Sequence, residues 1–291
     1  MPASDIASHD SGRLRDLLKV QPGSTVDLTS YDTRATPGFP GKGKKDAEQL
    51  REAMAPELSD LQERLYAGGR YPQDPKRVLV VLQGMDTSGK GGTVTHVFGM
   101  MNAAGLQLTS FKAPTKEERE HGYLWRITNA LPRPGMIGIF DRSQYEDVLV
   151  VRVENLVEPA VWGARYDEIN AWEADVAASG TTIIKCFLHI SPEEQKERLA
   201  ARLADPKKYW KYNPGDVDVR AKWAQYQAAY EAALSRCSTE LAPWFVIPAD
   251  RKWYRNWAVA TLLHEHLLAI DPQWPAASFD VATEKARVAA S

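Results

Sequence analysis

Residues 78–93, VLVVLQGMDTSGKGGT, place an apolar run directly before a glycine-bounded loop with one lysine, and few folds accept that order. Val78, Leu79, Val80, Val81 and Leu82 show no polar alternation, so they read as a strand buried on both faces, as in a parallel sheet. Gly84-x-x-x-x-Gly89-Lys90 has the spacing of a phosphate loop (Walker A). In such a loop backbone N–H groups cradle a phosphate chain and the lysine reaches its outer oxygens. Thr87, Ser88, Gly89, Gly91, Gly92 and Thr93 complete the expected cradle. Two positions depart from the usual pattern. Gly91 stands where a Ser or Thr hydroxyl normally binds magnesium, and the next hydroxyl is that of Thr93. Asp86 puts a carboxylate where phosphates sit, which repels the ligand unless a cation or a proton lies between them. Asp86 therefore reads as a metal ligand or a base, set against the common use of Asp as a turn former.

Further strands are expected at residues 108–112, 135–140, 182–189 and 244–248, alternating with helical patterns. Leu50, Met54, Leu58, Leu61 and Leu65 recur at helical spacing over 46–66, where Pro56 should kink or split the helix. A helix should follow the loop to about residue 104, ending at Gly105. Thr115 with Glu118 forms a capping box for a helix toward residue 130, and Ser191, Pro192 and Glu194 open another. This alternation predicts the α/β class: a three-layer, doubly wound parallel sheet whose ligands bind at the carboxyl ends of strands. Residues 1–45, rich in Gly, Pro, Ser and Thr, read as an irregular arm over the domain. Residues 46–270 form the domain itself, and 271–291 an Ala-rich tail.

A second candidate strand end carries Asp141, followed at once by Arg142. In phosphate-loop enzymes such an aspartate supports magnesium and a neighbouring arginine holds transferring phosphoryl oxygens. The third constellation is KERLAARLADPKKYWK at 196–211, where six bases, Lys196, Arg198, Arg202, Lys207, Lys208 and Lys211, face two acids, giving a local charge of +4. Asp205-Pro206 interrupts the helix and Asn213-Pro214-Gly215 precedes another, over 216–234, so a mobile helical lid is expected at about 200–230. Tyr209, Trp210 and Tyr212 read as packing residues. Lys112, Arg126 and Glu146 border the expected acceptor site.

Composition narrows the classes further. A net charge of −2 argues against a general nucleic-acid binder. No apolar run approaches a membrane span, and the first thirty residues lack the pattern of a signal peptide, so a cytoplasmic protein is expected. Cys186 and Cys237 are too few for a disulfide framework and read as buried thiols. His264 and His266, two apart on a helix, make a poor metal pair. Three readings stay open on the residues alone: a phosphoryl-transfer enzyme whose loop is not an ordinary ATP-magnesium cradle, an ATP-dependent small-molecule or nucleoside monophosphate kinase, and a non-catalytic nucleotide-binding regulator. Asp86 and Gly91 count against the second, and the joint presence of Asp141 and Arg142 against the third.

GMDTSGKGGTVTHVF at 84–98, IFDRSQYEDVLVVRVENLV at 139–157 and DPKKYWKYNPGD at 205–216 together resemble the polyphosphate kinase 2 family over roughly residues 31–270. The middle block resembles the subgroup that phosphorylates both nucleoside mono- and diphosphates. The resemblance implies a thymidylate-kinase-like P-loop kinase fold. It also implies magnesium-dependent, reversible transfer of the terminal phosphoryl group of inorganic polyphosphate to ADP and to AMP. Adenine nucleotides are the implied acceptors, guanine nucleotides a further option, and manganese an alternative to magnesium. Carried over by position, Asp86 and Asp141 would hold metal, Lys90 would be the loop lysine and Arg142 the phosphate-binding arginine. Arg202, Lys208 and Lys211 would grip the donor chain. Relatives in this family often carry Asn at the position of Asp141, so the charge there is a point of departure. No membrane or nucleic-acid partner is implied, and the nine tryptophans and the arm suit a homo-oligomer, dimer or tetramer.

Overall fold

A five-stranded, all-parallel sheet forms the spine of the protein, described here from a computed structural model over residues 12–71 and 74–291. Strands β1 (Arg77–Gln83), β2 (Leu106–Ser110), β3 (Ile137–Asp141), β4 (Thr181–His189) and β5 (Trp244–Pro248) lie in the order β2-β3-β1-β4-β5. Parallel neighbours cannot be joined by tight turns, so each connection carries helix. Helices α1 (Leu14–Leu18) and α2 (Lys44–Gly68) precede β1, and α3 (Lys90–Val97) follows it. Helices α4 (Lys116–Glu120) and α5 (Tyr123–Asn129) join β2 to β3, and α6 (Val150–Val153) and α7 (Pro159–Ala178) join β3 to β4. Helices α8 (Pro192–Leu203), α9 (Gly215–Ala221) and α10 (Trp223–Arg236) join β4 to β5, and α11 (Lys252–Ile270) and α12 (Val281–Ala289) end the chain. Helix α11 packs against α1, α2 and α3, whereas α6 contacts α7 and α10. The expected doubly wound α/β architecture is therefore present.

Burial explains why β1 is central. Val78, Leu79, Val80, Val81 and Leu82 are each no more than 1% exposed, so both faces of the strand are covered. Strands β3 and β4 flank β1, and the chain reverses its winding direction there, which opens a crevice at the carboxyl end of β1. Among the described residues no helix is long and apolar enough to cross a membrane.

Several boundaries differ from expectation for local reasons. β3 starts at Ile137 because Gly135, at φ +81°, belongs to a turn. β2 lies two residues earlier than expected, at Leu106–Ser110. Helix α3 stops at Val97 and gives way to two 3₁₀ turns, the second capped by the Asn102 side chain, which accepts from the Ala104 N–H at 3.0 Å. The Thr115–Glu118 capping box forms, but the helix breaks at His121-Gly122. The expected 216–234 helix is divided at Lys222 into α9 and α10. Pro56 leaves α2 as one helix; it faces solvent, and the carbonyl it cannot serve belongs to exposed Glu52, where water can bond it.

The described part of the arm is fastened rather than loose. Leu14, Leu18, Val20, Val26 and Leu28 are buried. The Glu265 carboxylate accepts from the Leu14 and Arg15 N–H groups at 2.8 and 3.0 Å. Residues 1–11 of that arm lie outside the described residues. Helix α12, in the tail, has no buried residue.

A buried polar network lies beneath the chain that leaves β3. Lys185 Nζ donates to Glu173 Oε2 at 2.5 Å, to the Tyr145 hydroxyl at 2.8 Å and to the Cys237 carbonyl at 2.6 Å. Tyr145 and Gln144 both donate to Glu173 Oε1, at 2.8 and 2.9 Å. Removing one charge from such a pair strands the other. Lys185→Met is expected to lower unfolding free energy by about 3–5 kcal/mol in chemical denaturation, and the double change with Glu173→Gln to recover part of the loss.

Candidate active site

The loop after β1 depends on glycine where the chain is tightest. Gly84 sits at φ +147°, and a Cβ there would lie 2.6 Å from the Leu188 carbonyl. Gly89 sits at φ +108° against Arg255, and a Cβ there would fall 1.6 Å from its Nη1. Both positions exclude ordinary side chains by backbone and by space. Thr87 also takes a positive φ, +65°. The hydroxyls of Thr87 and Ser88 are buried with no protein partner. Lys90 opens α3 and donates to the Gly84 carbonyl at 2.9 Å, folding back over the loop. Burial and the nearby Arg142 guanidinium hold the Lys90 ammonium below its ordinary pKa, opposed by Asp86, Asp141 and Glu146.

Asp86 and Arg142 join the ends of β1 and β3. Arg142 Nη2 donates to Asp86 Oδ1 at 3.0 Å, and Nη1 lies 3.7 Å from Glu146 Oε2. Arg142 adopts φ +68°, rare for a side chain of this size, and its N–H is held by the Leu82 carbonyl at 3.1 Å. Burial alone would pull its guanidinium down, but Glu146 and Asp86 outweigh that and raise its pKa. Asp141 ends β3 beside this pair.

A cavity of about 300 Å³ opens from the pair, lined also by Glu146, Glu154, Asp216, Tyr226 and Tyr230. Burial and repulsion from Asp86 raise the Asp216 carboxyl above its ordinary pKa, against the pull of Arg202 and Arg142. Glu154 accepts from Lys222 and, at 3.3 Å, from the Tyr226 hydroxyl. Asp216, Glu154, Tyr226 and Tyr230 were not among the expected site residues. They come from helices distant in sequence, and only the fold brings them together.

The underside of the loop is held by arginine. Arg198 Nη1 donates to the carbonyls of Thr87 and Ser88 at 2.8 and 3.1 Å, and its Nη2 to those of Ala249 and Asp250 at 2.7 and 3.1 Å. Glu194 pairs with its Nε at 2.7 Å. Gln195 donates to the Asp86 carbonyl at 3.0 Å. Arg198, one of the six bases of the 196–211 run, is buried beneath the loop instead of facing solvent with that run. The signal was the helical face it shares with Gln195 and Leu199, both also buried.

Other expected site residues are placed as follows. Thr93 is buried and donates back to the Gly89 carbonyl at 3.2 Å, so its hydroxyl is engaged inside the helix. Gly91 is exposed at the start of α3 and Gly92 follows it against Arg255. Arg202 donates to the Lys211 carbonyl at 2.7 Å and pairs with Asp216 at 3.2 Å, bracing the 202–216 segment internally. Lys208 is exposed and pairs with Asp205 at 2.9 Å, and Lys211 is exposed over the Trp210 ring. Trp210 and Tyr209, expected to pack, are 79% and 54% exposed. They sit on a short 3₁₀ segment, Pro206–Lys211, with no buried residue, so there is no core for them to enter. Lys112 is exposed, and its carbonyl accepts from Arg126 Nη1 at 2.8 Å. Arg126 lies over the Phe111 ring and 3.7 Å from Glu118, clipping α5 to the preceding loop.

Among the described residues no three His, Cys, Asp or Glu side chains converge as a metal site. Asp86 on the loop and Asp141 at the end of β3 are carboxylates of the kind that suit magnesium, which takes one or two of them and completes its shell with phosphate oxygens and water. His264 bonds Glu57 at 3.0 Å and His266 the Leu262 carbonyl at 2.7 Å, so neither contributes.

A phosphate loop at the switch point of a parallel sheet, faced by an Asp-Arg pair at the end of β3, defines a P-loop phosphotransferase. The polyphosphate kinase 2 (PPK2) family matches residues 42–274. The chain is similar to the AMP/ADP-polyphosphate phosphotransferase of Meiothermus ruber, 48% identical over 88% of this chain and 94% of that one. It is also similar to the ADP-polyphosphate phosphotransferase of Rhodopseudomonas palustris, 38% identical over 89% of this chain and 91% of that one. The crystal structure of polyphosphate kinase 2 from Arthrobacter aurescens TC1 superposes with a TM-score of 0.92 at 48% identity, covering 98% of this chain and 99% of that chain. The chain belongs to the polyphosphate kinase 2 family.

The two loop glycines nearest Lys90 should respond oppositely to alanine. Gly89→Ala should abolish phosphate binding and lower the melting temperature, whereas Gly91→Ala, with open space around its Cβ, should stabilise α3 by about 0.5–1 kcal/mol in denaturant titrations.

Proposed function

We propose that the protein transfers the terminal phosphoryl group of inorganic polyphosphate to ADP, giving ATP, and to AMP, giving ADP, reversibly. The observation that carries this reading is the Asp86–Arg142 pair at 3.0 Å, set between the phosphate loop and the cavity. An acceptor phosphate ionises near pH 6 (about 6), so little proton removal is needed and the main obstacle is repulsion between two polyanions. The residues present answer that obstacle. Loop N–H groups and Lys90 hold the phosphate chain, and Arg142 reaches the side of the group in transfer, with the cavity beyond it taking the acceptor.

Magnesium, held by Asp86 and Asp141, would neutralise phosphate charge during transfer. Manganese could replace it. Lys208 and Lys211, exposed on the lid, are proposed to meet the donor chain, while Arg202 braces the lid through Asp216. Glu146, facing the cavity, and exposed Lys112 are proposed to contact the nucleotide, with Arg126 positioning the latter's loop. The likeness to the Meiothermus ruber AMP/ADP-polyphosphate phosphotransferase supports AMP as well as ADP. Guanine nucleotides are further candidate acceptors. A cytoplasmic setting and a homo-oligomer belong to the same reading; the two free, buried cysteines, whose thiols burial pushes up to about 12, suit a reducing compartment.

The direct test supplies purified protein with magnesium, long-chain polyphosphate and either ADP or AMP, and separates the products by chromatography. ATP from ADP and ADP from AMP are expected; product with ATP as donor but none with polyphosphate would overturn the reading. Asp86→Asn and Asp141→Asn should each leave the melting temperature near that of the wild type and lower turnover about a hundredfold or more. Unchanged turnover in either variant removes that residue from the reaction.

A further inference from the structure

Arg255 carries a buried charge that the fold does not balance. It is 3% exposed on α11, and among the described residues no acid pairs with it. Its three donated bonds end on neutral oxygens: Nε and Nη2 on Asn256 Oδ1 at 3.1 and 2.8 Å, and Nη1 on the Ser88 carbonyl at 3.3 Å. Arg198, which shares the Ser88 carbonyl, has Glu194 as its partner, so the two guanidiniums together keep one positive charge in excess. Burial first, and then repulsion from Arg198, bring the Arg255 guanidinium down to about 9. Burying an unpaired ion is costly, and neutral donors of similar length would satisfy the same oxygens. A charge retained there is unexplained by folding.

Its position supplies the explanation. The guanidinium packs against Gly89 and Gly92, the loop glycine and the first turn of α3, where a Cβ would fall 1.6 and 3.0 Å from its Nη1 and Nη2, so it lies against the single peptide layer of the loop. In a poorly screened interior a charge acts across that layer. We infer that Arg255 is a positioning residue for phosphate, its unpaired charge completed by the bound polyanion across the loop rather than by any acid of the fold. It touches no substrate atom; it holds the loop from below and makes the cradle electropositive. This inference rests on the proposed use of the loop for polyphosphate.

Asn256→Asp tests it with the smallest change available, since Oδ1 already accepts two Arg255 N–H bonds and the substitution supplies the missing acid in place. Melting temperature is measured with and without inorganic tripolyphosphate, and the KM for polyphosphate is measured beside kcat. The expected result is a higher melting temperature without ligand, a smaller rise on adding tripolyphosphate, and a KM increased by about fivefold or more. Arg255→Lys, which keeps the charge, should retain most of the tripolyphosphate-induced rise, and Arg255→Gln should lose it. A raised melting temperature with unchanged tripolyphosphate response and KM would assign Arg255 to structure alone and overturn the inference. So would an equal loss in the Lys and Gln variants. If the wild-type protein itself fails to respond to tripolyphosphate, the phosphate role of the loop fails first, and this inference with it.

Discussion

The contact between Asp86 and Arg142 couples the two strands on which the site is built. Asp86 belongs to the loop after β1 and Arg142 follows β3, and these strands are hydrogen-bonded neighbours at the switch point of the sheet. A carboxylate inside a phosphate cradle is unfavourable unless a cation faces it. Arg142 is that cation within the fold, and its unusual φ of +68° shows how closely the chain is constrained to deliver it. The core of β1 fixes where the loop emerges, and the buried Lys185–Glu173–Tyr145 network fixes where the chain after β3 runs.

Positive charge around the loop is arranged in layers. Lys90 folds back onto the Gly84 carbonyl and Arg142 meets Asp86 at the cavity, whereas Arg198 and Arg255 hold the loop carbonyls of Thr87 and Ser88. Guanidiniums thus hold the carbonyls of Thr87 and Ser88, and the Ser88 N–H closes a turn onto the Met85 carbonyl at 3.0 Å, so the loop backbone is fixed from within and from beneath. The segment proposed as a lid is less committed. Its bases Lys208 and Lys211 are exposed, and Arg202 and Asp216 brace it at the rim of the cavity.

The parts of this arrangement written in local pattern were legible in the sequence. The apolar run before Gly84 marks β1, and the 244–248 strand is where the residues place it. Asp86, Lys90, Asp141 and Arg142 stand out by type and spacing, and the fold gathers them at adjacent strand ends. What depends on tertiary context was not legible. Arg198 counts as a lid charge by composition, yet its helical face carries it under the loop with Gln195 and Leu199. Pro56 breaks helices on average but not where its neighbouring carbonyl meets solvent. Trp210 looks like core material and is exposed because its segment has no core. Glu154 and Asp216 lie within the 139–157 and 205–216 blocks, yet nothing in those blocks marks them as one cavity wall with Tyr226, because the three converge only in the folded chain.

We propose that Asp86, whose charge Arg142 offsets only in part, opposes phosphate by itself and serves it when a divalent cation is also present. Calorimetric titration of tripolyphosphate into wild-type protein and Asp86→Asn, with and without magnesium, tests this most directly. The account predicts a reversal: Asp86→Asn binds tighter than wild type without magnesium, because a repelling charge is gone, and weaker with it. A substitution that shifts affinity in the same direction under both conditions would contradict the account and leave Asp86 as a loop-forming residue.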